Sequence, residues 1–269
     1  MRRLLIRPGG IGDCILSLPA LEFLRTGYTE VWVPGPVVPL IRFADRVRAI
    51  AGTGLDLIEI PGQRPAATVE ALRGFDEIVS WYGSGRPEFR EAVEELRLHF
   101  RFLAALPDEP GVHASDFYVR QVGARASAPR IPCPRLDGGY AVIHPFSGSA
   151  AKNWPLERFQ ELAGWLGARL PLHWCAGPQE SLPGAHRFED LYDLGCWLAG
   201  ARVYIGNDSG ITHLAAAAGA PVVALFGPTD PEVWGPRGDR VRMVHTPAPG
   251  EPMQKIQLAG VRAGVESLW

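Results

Sequence analysis

Short apolar runs of strand length alternate with segments of helical periodicity along almost the whole chain, and few folds accommodate that pattern. Apolar runs at residues 4–7, 30–33, 55–60 and 75–81 predict strands. Between the first two, Asp13 opens a stretch in which Ile15, Leu16, Leu18, Leu21 and Leu24 recur at helical spacing. Residues 86–106 read as one long amphipathic helix and 114–122 as another. Strands that alternate with helices build a parallel α/β sheet. The alternation then stops once. Residues 124–139 hold three prolines, three alanines and two glycines with no hydrophobic period, the composition of a connection between domains. It restarts with strands at 140–144, 172–176, 202–206 and 222–226, and helices at 155–166, 188–198 and 209–218. Two α/β domains are expected, 1–130 and 131–269, with the last helix free to pack back on the first. A cleft between them is the natural place for a ligand.

Composition narrows the function. Basic residues number 27 and acidic residues 29, a net charge of −2, which gives no general attraction to nucleic acid. The longest apolar stretch, 214–226, contains Gly219 and Pro221 and is too short to span a bilayer. The first apolar run is broken at Arg7 and Asp13, unlike a signal peptide, so a cytoplasmic location is expected. Cys14, Cys133, Cys175 and Cys196 lie far apart without C-x-x-C spacing and are expected as free thiols. His99, His113, His144, His173, His186 and His245 show no metal-ligand spacing and are read as structural.

Three loops carry candidate chemistry. The run Gly206-Asn207-Asp208-Ser209-Gly210-Ile211-Thr212-His213 joins a strand to an alanine-rich helix at the C-terminal sheet edge, where ligands of open α/β sheets bind. Free N–H groups and the positive dipole end of that helix suit a phosphate, and Gly210 permits close backbone approach. A helix cap alone would need fewer polar residues. The run Ser147-Gly148-Ser149-Ala150-Ala151-Lys152-Asn153-Trp154-Pro155 follows the first strand of the second half, with Pro155 expected in the first turn of the next helix. Lys152 is one of only two lysines in a chain that otherwise uses arginine, and its compact ammonium fits a phosphate oxygen. The run Pro8-Gly9-Gly10-Ile11-Gly12-Asp13 lacks the third glycine of a dinucleotide fingerprint, because Ile15 stands there. Its glycines instead place Asp13 at a helix start, either as a cap or as a carboxylate base acting on a hydroxyl.

Together, Gly9 to Asp13 with Leu16-Ser17-Leu18-Pro19-Ala20, Lys152-Asn153-Trp154-Pro155, Gly206 to Ala216, and Phe226-Gly227-Pro228-Thr229-Asp230-Pro231 resemble glycosyltransferase family 9, the ADP-heptose:lipopolysaccharide heptosyltransferases. The resemblance implies a GT-B architecture, two Rossmann-like α/β domains facing across a cleft, with the acceptor on the first and the nucleotide sugar on the second. It implies inverting transfer of a sugar, with heptose from ADP-heptose expected, to a lipopolysaccharide-core-like or other saccharide or lipid-linked acceptor. Asp13 would be the general base, with Gly10 and Gly12 on the acceptor side. Lys152 would neutralise the leaving diphosphate. Ser147, Gly148, Ser149, Asp208, Ser209, Gly210, Ile211, Thr212 and His213 would bind the donor, and Glu180 of Gly177-Pro178-Gln179-Glu180 would hold ribose hydroxyls. No cofactor or bound divalent metal is implied. A lipid-linked acceptor would bring the chain to the inner face of the cytoplasmic membrane, and Arg86, Arg90, Arg97 and Arg101, read on one helix, could meet its acidic groups or simply face solvent. The segment between Gly177 and Phe188 and the first half are short for the family, which leaves a non-catalytic nucleotide-sugar-binding regulator or scaffold as the alternative.

Overall fold

The structure, a computed structural model, describes residues 1–109, 111–134 and 138–269. Residues 135–137 of the expected connection lie outside the described residues. Two five-stranded parallel sheets form the frame. The first contains β1 (Arg2–Ile6), β2 (Tyr28–Val33), β3 (Arg46–Ala49), β4 (Glu77–Ser80) and β5 (Phe100–Phe102) in the order β3-β2-β1-β4-β5. The second contains β6 (Ala141–His144), β7 (Leu172–Trp174), β8 (Val203–Asn207), β9 (Val222–Phe226) and β10 (Val241–His245) in the order β10-β9-β8-β6-β7. Each order reverses once, between β1 and β4 in the first sheet and between β6 and β8 in the second. The loops leaving β1, β6 and β8 therefore emerge at the two crevices where such sheets bind ligands. These are the three loops singled out from the sequence.

Helices cover the sheets: α1 (Ile11–Phe23), α2 (Ala66–Arg73), α3 (Pro87–Glu95) and α4 (Ala114–Val122) in the first half, and α5 (Leu156–Gly167), α6 (Leu191–Ala199), α7 (Gly210–Ala217), α8 (Pro231–Trp234) and α9 (Leu258–Glu266) in the second. Every residue of α1 from Cys14 to Leu21 is buried. A helix apolar on all sides must be covered on all sides, and α1 is enclosed by its own sheet, by α4 and by α7 of the other half. One apolar cluster therefore runs through both halves, joining Leu5, Leu16 and Val79 to Leu214, Ala215 and Phe226. Burial of Leu16, Leu18 and Leu21 contributes ~1.5–3 kcal/mol each.

Several expectations are corrected. Among the described residues the final helix packs within its own half: α9 lies on β9, β10 and α5 and not back on the first half. The long helix over 86–106 is α3 followed by strand β5. The chain turns through Arg97 at φ 53°, and Phe100 and Phe102 then stack on each other with Phe89 packed edge-on against both. The arginine row is consequently no helix face. Arg86 pairs with Glu59, and Arg90 lies over the Phe102 ring. Residues 55–60 form no strand: Leu55–Leu57 is a 3-10 turn entered from Gly54 at φ 72°, and Leu55 and Ile58, three apart, are the buried positions. Strands β3 and β10, whose sequences RVRA and VRMVH are interrupted by arginine, are additional. No helix among the described residues is long and apolar enough to cross a membrane.

Candidate active site

The starts of α1 and α7 meet across the two halves, and a cavity of about 520 Å³ opens beside their junction. Gly10, Gly12 and Asp13 line it from the first half, and Gly148, Ser149, Lys152, Asp208, Ser209, Gly210 and His213 from the second. The junction depends on two glycines. A Cβ on Gly210 would sit 2.6 Å from the Ile11 Cβ and 3.2 Å from the Gly12 nitrogen, and one on Gly12 would sit 3.0 Å from the His213 ring. Two positive helix ends thus point toward one space, an arrangement that favours anions.

Asp13 stands at the third position of α1, and Gly10 takes the cap position. The Asp13 Oδ2 accepts the Gly10 N–H at 2.8 Å. Gly9, at φ 115°, lies against the Asp13 side chain, where a Cβ would come within 3.0 Å of it. One carboxylate oxygen is thereby fixed, and Oδ1 has no protein partner among the described residues. A fixed carboxylate with a free oxygen, facing a cavity, is arranged to accept a proton from a hydroxyl.

Opposite it, the Lys152 Nζ donates to Asp208 Oδ2 at 2.7 Å, and the Thr229 hydroxyl donates to the same oxygen at 2.5 Å. Asp208 is buried, and Lys152 keeps about a third of its side chain exposed to the cavity side. Asn207 builds this corner: its amide donates to the Pro145 carbonyl at 2.8 Å, and its Oδ1 accepts the Trp154 N–H at 3.1 Å, so the end of β8 pins the loop that carries Lys152. Pro155 caps α5 and does not occupy its first turn. Thr229 and Trp234 also line the cavity. Neither Asn207 nor Thr229 stands among the donor-binding residues that the resemblance implies, although both lie in its motifs.

The structure brings most, but not all, of the predicted residues to the cavity wall. Ser209 caps α7 by accepting the Thr212 N–H. Thr212 is fully buried, and its hydroxyl donates to the Asn207 carbonyl at 2.5 Å, so it braces the loop from beneath. Ile211 packs into the shared core. The single Ser147 hydroxyl proton is shared between the Ser149 carbonyl at 2.7 Å and Asn153 Oδ1 at 2.8 Å, shaping the loop from behind the wall. Glu180 lies further along the same sheet edge, where its Oε2 accepts the Gly177 N–H at 2.5 Å and meets His144 Nε2 at 3.0 Å. Burial pushes the Glu180 carboxyl up, but the bonds from His144 and Gly177 outweigh it and hold the group below the usual carboxylate range.

His213 is buried, with no partner for Nδ1. Burial pushes its imidazole down to about 4 against the pull of Asp208, so the ring is neutral near pH 7. Among the described residues, no group of three potential metal ligands sits together.

The sequence model of glycosyltransferase family 9 (heptosyltransferase) matches residues 87–259. Lipopolysaccharide heptosyltransferase 1 of Pseudomonas aeruginosa is 36% identical over 306 aligned positions, covering 88% of this chain and 82% of that protein. The chain belongs to glycosyltransferase family 9. Lipopolysaccharide heptosyltransferase 1 of Escherichia coli O18:K1:H7 is 31% identical over 148 residues, 49% of this family 9 chain and 44% of that protein, so the match spans less than half of the relative's length. The solved structure of E. coli heptosyltransferase WaaC with ADP superposes with a TM-score of 0.73 at 21% identity, covering 100% of both chains. The facing α/β halves are thus the GT-B architecture of the family's heptosyltransferases.

Proposed function

We propose that this chain is an inverting glycosyltransferase that moves a sugar, with heptose from ADP-heptose the expected donor group, to a lipopolysaccharide-core-like or other saccharide acceptor. The observation that carries the reading is that Asp13 of one half and the Lys152–Asp208 pair of the other line a single cavity at two converging helix starts. Family membership, and the superposition on WaaC solved with ADP, support the choice of donor.

In this reading the acceptor hydroxyl lies against the free Oδ1 of Asp13. Its oxygen attacks the anomeric carbon from the face opposite the diphosphate. The new C–O bond forms as the bond to the diphosphate oxygen breaks, the hydroxyl proton passes to Asp13, and the nucleoside diphosphate leaves with the bonding pair. Charge grows on the leaving oxygen, where the Lys152 ammonium and the N–H groups that open α7 are already in place. Enclosure between the halves aligns base, nucleophile and leaving group and restricts water. Glu180 takes the ribose hydroxyls through its unengaged oxygen. A lipid-linked acceptor would bring the chain to the inner face of the cytoplasmic membrane as a peripheral partner.

Calorimetry with ADP, UDP, GDP and their sugar conjugates, followed by a turnover assay with a heptose-accepting core saccharide, tests this directly. Selective ADP binding with repeated transfer supports it. Absence of binding to every nucleotide would sink the transferase reading.

A further inference from the structure

Arg7 directly follows the first strand and is 1% exposed, yet among the described residues its guanidinium pairs with no carboxylate. Burying a guanidinium without a counter-ion is costly, and an apolar side chain of the same volume would stabilise the core more. The position is also the wrong one for a cation by helix electrostatics, because it lies behind the positive end of α1. The partners show what the group does. Its Nε donates to the Ser17 hydroxyl at 3.1 Å, and that hydroxyl donates to the Cys14 carbonyl at 2.8 Å. One terminal nitrogen donates to the Asp13 carbonyl at 3.3 Å and the other to the Ala105 carbonyl at 3.4 Å. The guanidinium plane is held over the Tyr118 ring at 4.5 Å, and the Tyr118 hydroxyl donates to the same Ala105 carbonyl at 3.1 Å.

These bonds reach residues 13 and 17, four apart and so on one face of α1. A planar fork spans them; a lysine ammonium on a flexible stem cannot hold both. We propose that Arg7 is the positioning residue for Asp13: its fork locks the first turn of α1 against the end of β1 and so fixes the direction in which the Asp13 carboxylate enters the cleft. The proposal rests on the reading of Asp13 as the base. The Asp13 carboxylate has its own internal reporter, the Gly10 N–H that donates to it.

The test uses the full chain as wild type, Arg7→Lys, Arg7→Met and Asp13→Asn, and reads four quantities: thermal midpoint, ADP affinity by calorimetry, single-turnover transfer from ADP-heptose, and the amide resonance of Gly10. Arg7→Lys is expected to bind ADP within about twofold of wild type, because the nucleotide contacts lie in the other half, and to transfer on the order of 10- to 100-fold more slowly at saturating substrates. Its Gly10 resonance is expected to move toward that of Asp13→Asn, while resonances of α7 stay in place. Wild-type transfer per folded molecule, or an unmoved Gly10 resonance, in Arg7→Lys would overturn the positioning role whatever the change in thermal midpoint. If Arg7→Met fails to fold, Arg7→Lys alone decides. Failure of the underlying reading looks different: wild type transfers nothing, or Asp13→Asn transfers at the wild-type rate, and the Gly10 resonance then still decides whether Arg7 orients the carboxylate.

Discussion

Gly12 and Gly210 come from opposite halves of the chain, 198 positions apart in sequence, and neither has room for a side chain facing the other half. Their contact sets the distance between the two helix starts, and with it the separation of Asp13 from the Lys152–Asp208 pair. The shared apolar core behind the contact, from Leu16 to Leu214, holds that distance. Core packing and the shape of the cleft are therefore coupled here: the same two backbones close the core and border the cavity.

Replacing Gly210 by alanine tests the coupling. The added methyl meets the Ile11 Cβ, which is part of a backbone-anchored branch and cannot swing away. An overpacking cost of roughly 1–3 kcal/mol is expected, together with a loss of transfer larger than the loss of folded protein. Chemical denaturation beside a turnover assay measures both. An unchanged rate at unchanged stability would show that the halves are not held by this contact.

Asp208 and Lys152 make a second test. Asp208 is buried and takes bonds from Lys152 and Thr229 on one oxygen, so Lys152→Ala leaves a buried carboxylate with the Thr229 hydroxyl as its remaining bond on that oxygen. Weaker nucleotide binding, on the order of 10- to 100-fold, is expected from the lost charge at the diphosphate. Thr229→Val removes only a hydroxyl bond and should cost less, about 0.5–1.5 kcal/mol of stability. Calorimetry with ADP separates the two; equal affinity in wild type and Lys152→Ala would remove Lys152 from the donor site.

How much of this was legible in the sequence follows from burial. Strand β9 is a continuous apolar run, and β1 and β8 carry shorter ones at residues 4–6 and 203–205; these stretches are buried on both faces, and they stand out. Strands β3 and β10 lie at sheet edges and carry arginines on exposed positions, so their sequences resemble loop. The row from Arg86 to Arg101 has helical spacing by coincidence, since Arg97 marks the helix end. At the site, Asp13, Lys152 and Asp208 were readable because their residue types sit at strand-to-helix turns. The bracing roles of Asn207 and Thr229 were not, because each acts through a partner distant in sequence: Asn207 through Pro145 and Trp154, Thr229 through Asp208. Arg7 was hidden for another reason, since its reach to Asp13 and Ser17 exists only once the chain has turned from β1 into α1.

Asp13→Asn keeps the size and the bond to the Gly10 N–H while removing the carboxylate proposed as the base. Transfer is expected to fall on the order of 10²- to 10⁴-fold, with ADP affinity and thermal midpoint near wild type. Single-turnover kinetics at saturating donor measure it. A rate within threefold of wild type would assign the proton to another acceptor.

His213 links acidity to the same junction. Burial holds its imidazole down at about 4, below the ordinary 6.5, and its ring lies against Gly12 at the contact between the halves. The unfolded chain takes up a proton on this group as the pH falls below 6.5, whereas the folded chain refuses it until about 4. The unfolded state therefore binds more protons across that window, and stability contributed by the neutral ring is present in full above 6.5 and lost as the pH falls toward 4. The loss at the low end is roughly 3 kcal/mol, the free-energy equivalent of the shift. Urea unfolding at pH 7.5, 6, 5 and 4.5 is expected to show stability falling through this range in wild type and falling less steeply in His213→Gln, which has no proton to take up at this position. Parallel pH profiles for the two proteins would mean that the His213 ring is protonated in the folded state as readily as in the unfolded one, and that the junction of α1 and α7 is open to water.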